Sequence, residues 1–189
     1  MNRFVIHDSA HQPLDDKFPG LGLGVYGQWF NRHECWAEQA GAWIDYLSRT
    51  SYMLQQGRFV ADILWYYGEN TNITAIYSHS QPEVPAGYNF DYVNPEAMLS
   101  EIDVRHGALV TASGMSYRLL CIDPSIREMS VPVLARIVAL AEGGAAVCGP
   151  LPECSPSLSD SQEEFARLLE RARACPRIFS GLSCKEALW

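Results

Sequence analysis

Apolar side chains recur at helical spacing from Trp36 to Gln55, where Trp36, Ala40, Trp43, Ile44, Leu47 and Leu54 share one face and Gly57 supplies a stop. Phe59 to Tyr67 is a nearly unbroken apolar run with one acidic residue, Asp62. It predicts a strand buried on both faces of a parallel sheet. A long irregular segment, Gly68 to Tyr92, follows, and loops of that length are often functional. Asn94-Pro95-Glu96 reads as an N-cap, a proline at the first helical position and an acidic first turn, predicting a short helix through Leu99. Ile102–Val104 and Leu109–Thr111 flank His106-Gly107 as a hairpin. Tyr117–Ile122 reads as a second buried strand. A helix entered at Ser130 carries Val133, Leu134, Ile137, Val138 and Leu140 on one face and ends at Gly143-Gly144. Ala145–Cys148 is a third strand, Ser159-Asp160-Ser161-Gln162 caps a helix bearing Phe165, Leu168, Leu169 and Ala172, and Arg177–Phe179 is a fourth strand. This alternation predicts an α/β fold, with a parallel sheet covered on both sides in a Rossmann-like or flavodoxin-like three-layer arrangement.

The ends carry elements too. A strand-like run, Phe4–Ile6, begins near Met1, and Ser183-Cys184-Lys185-Glu186 reads as a capping box three residues before Trp189. One turn of helix does not sustain itself. Both ends therefore read as cut, and the chain as an internal fragment.

Composition narrows the function classes. Apolar residues make up 48% and charged residues 19% of the 189, as in a packed domain. The formal net charge is -8 and no Lys/Arg run offers a phosphate-tracking surface, which argues against nucleic acid and suits a neutral substrate. No stretch approaches the roughly 20 apolar residues of a membrane helix. The six cysteines show no C-x-x-C pair and read as reduced, partly buried thiols; a Cys148–Cys154 bridge is the one disulfide worth weighing. Gly20-Leu21-Gly22-Leu23-Gly24 lacks the strand-to-helix context of a dinucleotide loop, and Gly68-Glu69-Asn70-Thr71-Asn72 is a poor phosphate loop, against a flavin or nucleotide site.

The densest chemistry lies in Gly27-Gln28-Trp29-Phe30-Asn31-Arg32-His33-Glu34-Cys35-Trp36, which sets a carboxylate and a histidine between indoles. Indole faces stack on the C–H side of sugar rings, while carboxylates and imidazoles handle hydroxyls and the glycosidic proton. Glu34 is the candidate catalytic carboxylate. Beside Arg32 and His33, and ahead of a helix, it should stay ionised and serve as a general base; a solvated helix-cap carboxylate is the equal alternative. Glu38, one turn on, could share its face. His11, Trp29, His33 and Trp36 are candidate sugar-binding residues, though aromatic residues leading into an amphipathic helix are more often core. Tyr88 and Asp91 could reach a neighbouring sugar or cement a domain junction.

Several segments together resemble glycoside hydrolase family 106, the α-L-rhamnosidases: Arg3–Pro13, Pro19–Gly24, Trp36–Trp43, Leu54–Asp62, Tyr66–Glu69, Pro85–Asn94, Gly114–Arg118 and Pro156–Asp160. They run in the family's order along nearly the whole chain. The resemblance implies that residues 1–57 are the C-terminal piece of a (β/α) barrel, with His7 and His11 at the end of its last strand, where barrel enzymes place working side chains. Residues 58–189 would be an amidotransferase-like α/β domain truncated at its C-terminus. Neither Cys121 nor Cys148 has the glycine-flanked elbow of an amidotransferase nucleophile.

By the same resemblance the parent hydrolyses terminal α-L-rhamnosidic bonds with inversion, using two carboxyl groups roughly 6.5–9.5 Å apart. The partner acid would belong to the missing upstream barrel, so the fragment should be inactive alone. The implied partners are that barrel and a rhamnose-containing glycoside, oligosaccharide or polysaccharide. The resemblance allows an active-site calcium, although no Asp-rich calcium loop occurs, and implies export of the parent to a periplasmic or extracellular setting. The competing reading is a noncatalytic scaffold or interaction α/β domain.

Overall fold

The computed structural model describes residues 2–7, 9–18, 20–24, 30–71 and 82–188. They form two compact units, Met1–Arg58 and Phe59–Trp189. In the first unit a 3-10 turn, Ala37–Gln39, runs into helix α1 (Ala40–Gln55). The apolar stripe read from sequence is present, but α1 buries nothing: Trp43 is 48% and Leu54 51% exposed. Phe4–Ile6 carries no strand assignment. These residues are solvent-facing and have no sheet partner among the described residues, so the expected first strand is not formed here. Gln12 is the one buried side chain among the described residues of this unit.

The second unit holds the core. Its sheet contains β1 (Ile63–Tyr66), β2 (Phe90–Val93), β6 (Leu119–Ile122), β7 (Ala146–Gly149) and β8 (Ile178–Ser180), all parallel, in the order β2-β1-β6-β7-β8. Strands β1, β6 and β7 are buried along their whole length, as continuous apolar runs in a parallel sheet require. A small antiparallel sheet, β3 (Ile102–Arg105), β4 (Ala108–Thr111) and β5 (Ser116–Tyr117), turns through His106 and Gly107, both at positive φ. A two-residue turn with positive φ at both positions matches the natural strand twist.

Chain direction decides which elements cover which face. From β1 the chain moves outward to β2 and then returns past β1 to β6, β7 and β8, so right-handed crossovers must use opposite faces on the two journeys. One face packs α2 (Pro95–Ser100), α3 (Val131–Glu142) and α4 (Gln162–Ala174) on Leu64, Tyr66, Leu120, Ile122 and Val147. The opposite face carries Ile63, Trp65, Leu119, Cys121 and Cys148, and is met by Val84, Tyr88 and the one-turn helix α5 (Cys184–Ala187).

Capping fixes the helix starts. The Asn94 side chain accepts from Ala97 N–H, Ser161 from Glu164 N–H, and Ser183 with Glu186 completes the capping box. Helix α3 differs. Ser130 gives no side-chain cap; Glu69 instead accepts from Ser130 N–H and Oγ–H, each at 2.6 Å, and Asp160 accepts from Val131 N–H at 2.7 Å.

Two stretches depart from the sequence pattern. The irregular segment ends in strand β2, and Tyr117–Ile122 is two strands in different sheets. The break falls at Arg118, whose N–H donates to Asp62 O as the chain changes sheet.

Candidate functional site

In the first unit, the residues before α1 form a turn that presents Glu34. Asn31 accepts the His33 N–H on its side chain at 2.8 Å and the Glu34 N–H on its carbonyl at 3.3 Å, and Glu34 O accepts from Ala37 N–H at 3.0 Å. Glu34 is thus held at the mouth of the helix, half-buried.

Its neighbours do not act as the sequence suggests. Arg32 donates to Asp15 Oδ1 at 2.8 Å, and His33 Nε2 lies 3.4 Å from the same oxygen. Successive side chains on a turn diverge, and the loop carrying Asp15 draws both basic groups to itself. The Arg32 hydrogen bond and charge hold the Asp15 carboxyl below its usual range.

The same loop is tied to this turn on both sides of His11. Ser9 Oγ donates to Phe30 O, and the Asp15–Arg32 pair closes the other side. His11 itself is exposed and exchanges backbone hydrogen bonds with Leu21 at 2.8 and 2.9 Å. Gly20 permits that bridge: it sits at φ +82°, and a Cβ there would come within 2.7 Å of His11 O. Next to His11 lies a residue the sequence reading missed. Gln12 is 4% exposed, and neither its amide oxygen nor its nitrogen has a hydrogen-bond partner. A buried amide is costly when its atoms go unpaired, which sets Gln12 apart from its neighbours. A lone Gln between His11 and Pro13 carries no periodic signal that could have singled it out.

Aromatic rings complete the surface. Phe30, Trp36 and Trp43 form a cluster with centroid separations of 5.6 to 6.1 Å, and Trp36, Gln39, Ala40 and Trp43 line a depression of 410 Å³. His33 stands edge-on to Phe18 at 5.8 Å. Trp29 lies outside the described residues.

In the second unit, a 1090 Å³ cleft lies at the carboxyl ends of β1, β6 and β7, lined by Trp65, Tyr88, Asp123 and Lys185 among others. Open parallel sheets bind ligands at such a place, where successive crossovers part to opposite faces. The structure separates Tyr88 from Asp91. Tyr88 packs with Phe90 and Tyr92 on the cleft face, whereas Asp91, on the alternate side of β2, accepts from Tyr117 Oη at 3.0 Å. Burial, then this carboxylate, pushes the Tyr117 hydroxyl pKa up.

Among the described residues no group of three or more His, Cys, Asp and Glu is arranged to hold a metal ion. No helix is long and apolar enough to cross a membrane.

A family model described as alpha-L-rhamnosidase, glycoside hydrolase family 106, matches residues 1–180. The chain belongs to glycoside hydrolase family 106. Within the solved structures, a rhamnosidase from Novosphingobium sp. PP1Y matches 99% of this family 106 chain at 37% identity, with a TM-score of 0.85. A protein of Formosa agariphila named "Putative beta-glucuronidase" is 38% identical over 159 residues, 84% of the chain. The chain spans 19% of the Novosphingobium protein and 13% of the Formosa protein.

Proposed function

We propose that this family 106 chain is part of a glycoside hydrolase that cleaves terminal α-L-rhamnosidic bonds with inversion. Residues 1–57 would contribute the end of the catalytic (β/α) barrel and residues 58–189 a flavodoxin-like, amidotransferase-like α/β domain. The strand order β2-β1-β6-β7-β8 supports that second assignment, because it is the order of flavodoxin-like sheets. The observation that carries the reading is the unsatisfied first unit. It has a conspicuous aromatic surface and no buried apolar side chain among its described residues, and the family match runs through it.

In this reading Glu34 is the general base that activates water, and the acid comes from barrel polypeptide upstream. His11, Gln12, His33 and the ring of Trp36 bind the sugar, and Trp29 is a further candidate for that role; in the second unit Tyr88 remains a candidate sugar contact, whereas Asp91 is engaged by Tyr117. The same upstream barrel covers the exposed face of α1. The parent works outside the cytoplasm, and the isolated chain has no turnover.

A chimera tests this. Replacing the matching segment of the Novosphingobium rhamnosidase with residues 1–180 should preserve release of nitrophenol from an aryl α-L-rhamnoside, while the chain alone releases none. Glu34→Gln in the chimera should then lower kcat by about 10³-fold or more with the fold intact. Near-normal turnover would remove Glu34 from the catalytic pair. An aryl β-glucuronide run in parallel decides between the sugars named for the two relatives.

For the second unit alone, a noncatalytic scaffold reading draws support from two carboxylates already engaged. Asp91 is tied to Tyr117, and Asp123 accepts from Trp65 and Ser125.

A further inference from the structure

Three cysteines lie together on one face of the parallel sheet of the second unit. Cys121 on β6 stands in register with Cys148 on β7, and Cys184, the first residue of α5, belongs to the same apolar cluster. They are 3%, 0% and 4% exposed, and all are free thiols. Cys121 packs with both other thiols in that cluster. Cys121 and Cys184 line the 1090 Å³ cleft, and Cys148 is not among its lining residues.

We propose that Cys121 and Cys184 form an oxidisable thiol pair, converted to a disulfide by a small-molecule disulfide such as oxidised glutathione entering the cleft, which fastens α5 to the sheet. The alternative bond, Cys121–Cys148, is disfavoured by geometry. In-register neighbours on parallel strands sit roughly 4.8 Å apart with side chains pointing the same way, whereas a disulfide needs Cβ atoms about 3.8 Å apart. Closing that gap would pull together two strands in a close-packed core. Cys184 approaches from a separate one-turn element packed on this face, so no ladder hydrogen bonds of the sheet fix its distance from Cys121.

The steps balance. The Cys184 thiolate attacks one sulfur of the oxidised glutathione, forming a mixed disulfide and expelling one glutathione thiolate. The Cys121 sulfur, giving its proton to solvent, then attacks Cys184 Sγ and expels the second. Two protein thiols are oxidised, one S–S bond forms, and the glutathione disulfide is reduced to two thiols. Cys184 attacks first because it stands on the separate one-turn element lining the cleft, whereas Cys121 lies within strand β6. In keeping with this, contact with Cys121 lowers the Cys184 thiol from its ordinary 9.0, while Cys148 and Cys184, and then burial, push Cys121 up.

The full chain, with the exposed Cys35 and Cys154 changed to Ser so that they cannot compete, is incubated natively with oxidised or reduced glutathione. Free thiols are then alkylated and the peptides mapped. The expected result is a single link joining the Cys121 and Cys184 peptides, with Cys148 and Cys175 alkylated, reversed by dithiothreitol. The oxidised form should melt about 5–10 °C above the reduced form. Cys148→Ala should keep the link and Cys184→Ser should abolish it. A Cys121–Cys148 link, a stable glutathione adduct on Cys184, or free thiols throughout overturns the proposal. The map of the chain with its three clustered cysteines intact decides the matter even if a substituted variant does not fold.

Discussion

The indole N–H of Trp65 donates to Asp123 Oδ2 at 3.0 Å, joining strand β1 to the loop that leaves its neighbour, the central strand β6. Trp65 is 4% exposed, so the bond also satisfies a polar group that water cannot reach. It lies where the sheet's connections part to opposite faces. The cleft is therefore braced across its floor by a buried donor and a carboxylate that also takes Ser125 N–H at 2.9 Å.

Trp65→Phe keeps the ring in the core and removes the donor. The full chain should lose about 1–2 kcal/mol of stability in urea unfolding, and the loss should be much smaller in an Asp123→Ala background, where the acceptor is gone. A loss equal in both backgrounds would mean that the ring, not the hydrogen bond, carries the effect.

Gly149 closes β7 at φ +115°, and a Cβ there would lie 2.4 Å from Ile122 O on the neighbouring strand. The backbone conformation and the contact both oppose any side chain. Gly149→Ala should cost about 2–3 kcal/mol and lower the urea midpoint without changing the m-value.

Acid stability should depend on Asp160. The Ser155 hydroxyl, then Val131 N–H, holds its carboxyl below the ordinary 3.8. A carboxyl depressed in the folded state contributes stability above its unfolded pKa, and that contribution is lost as pH falls through the folded value. Glu142, held down by Arg171, and Glu186, held down by Ser183, act in the same direction. Thermal midpoints measured from about pH 5 to pH 2 should fall, and Asp160→Asn should lower the plateau and flatten part of the acid limb.

Limited proteolysis should separate the two units. The first has no buried apolar side chain among its described residues, while the second holds both clusters. Local stability follows such burial. Trypsin should cut within residues 1–58 first and leave a resistant product beginning near Phe59; initial cleavage inside α3 or α4 would contradict this.

What the sequence made legible was whatever depended on near neighbours. Ser161 and Ser183 cap where their patterns say, His106-Gly107 turns the hairpin, and α3 and α4 bury the faces their spacing implies. Strand β2 was hidden in the irregular segment because four residues, with Asp91 among them, are too short a pattern to distinguish from loop. Its identity comes from pairing with β1, more than twenty residues earlier. The division at Arg118 is likewise set by the partners of Tyr117 and Leu119, Leu109 in one sheet and Ile63 in the other. At the candidate site, Glu34 and His33 were legible as chemistry, but Asp15 drawing off Arg32 was not, since seventeen positions separate them. Gln12 had no motif; only its burial without partners marks it.

The rims of the five-stranded sheet carry a last implication. One edge strand, β8, has three residues, and the other, β2, places an aspartate in its four. Short or charged borders are poor templates for adding a strand from another molecule. Self-association of this chain should therefore proceed by greasy contact through its first 58 residues, yielding amorphous, detergent-dispersible material and not ordered fibres.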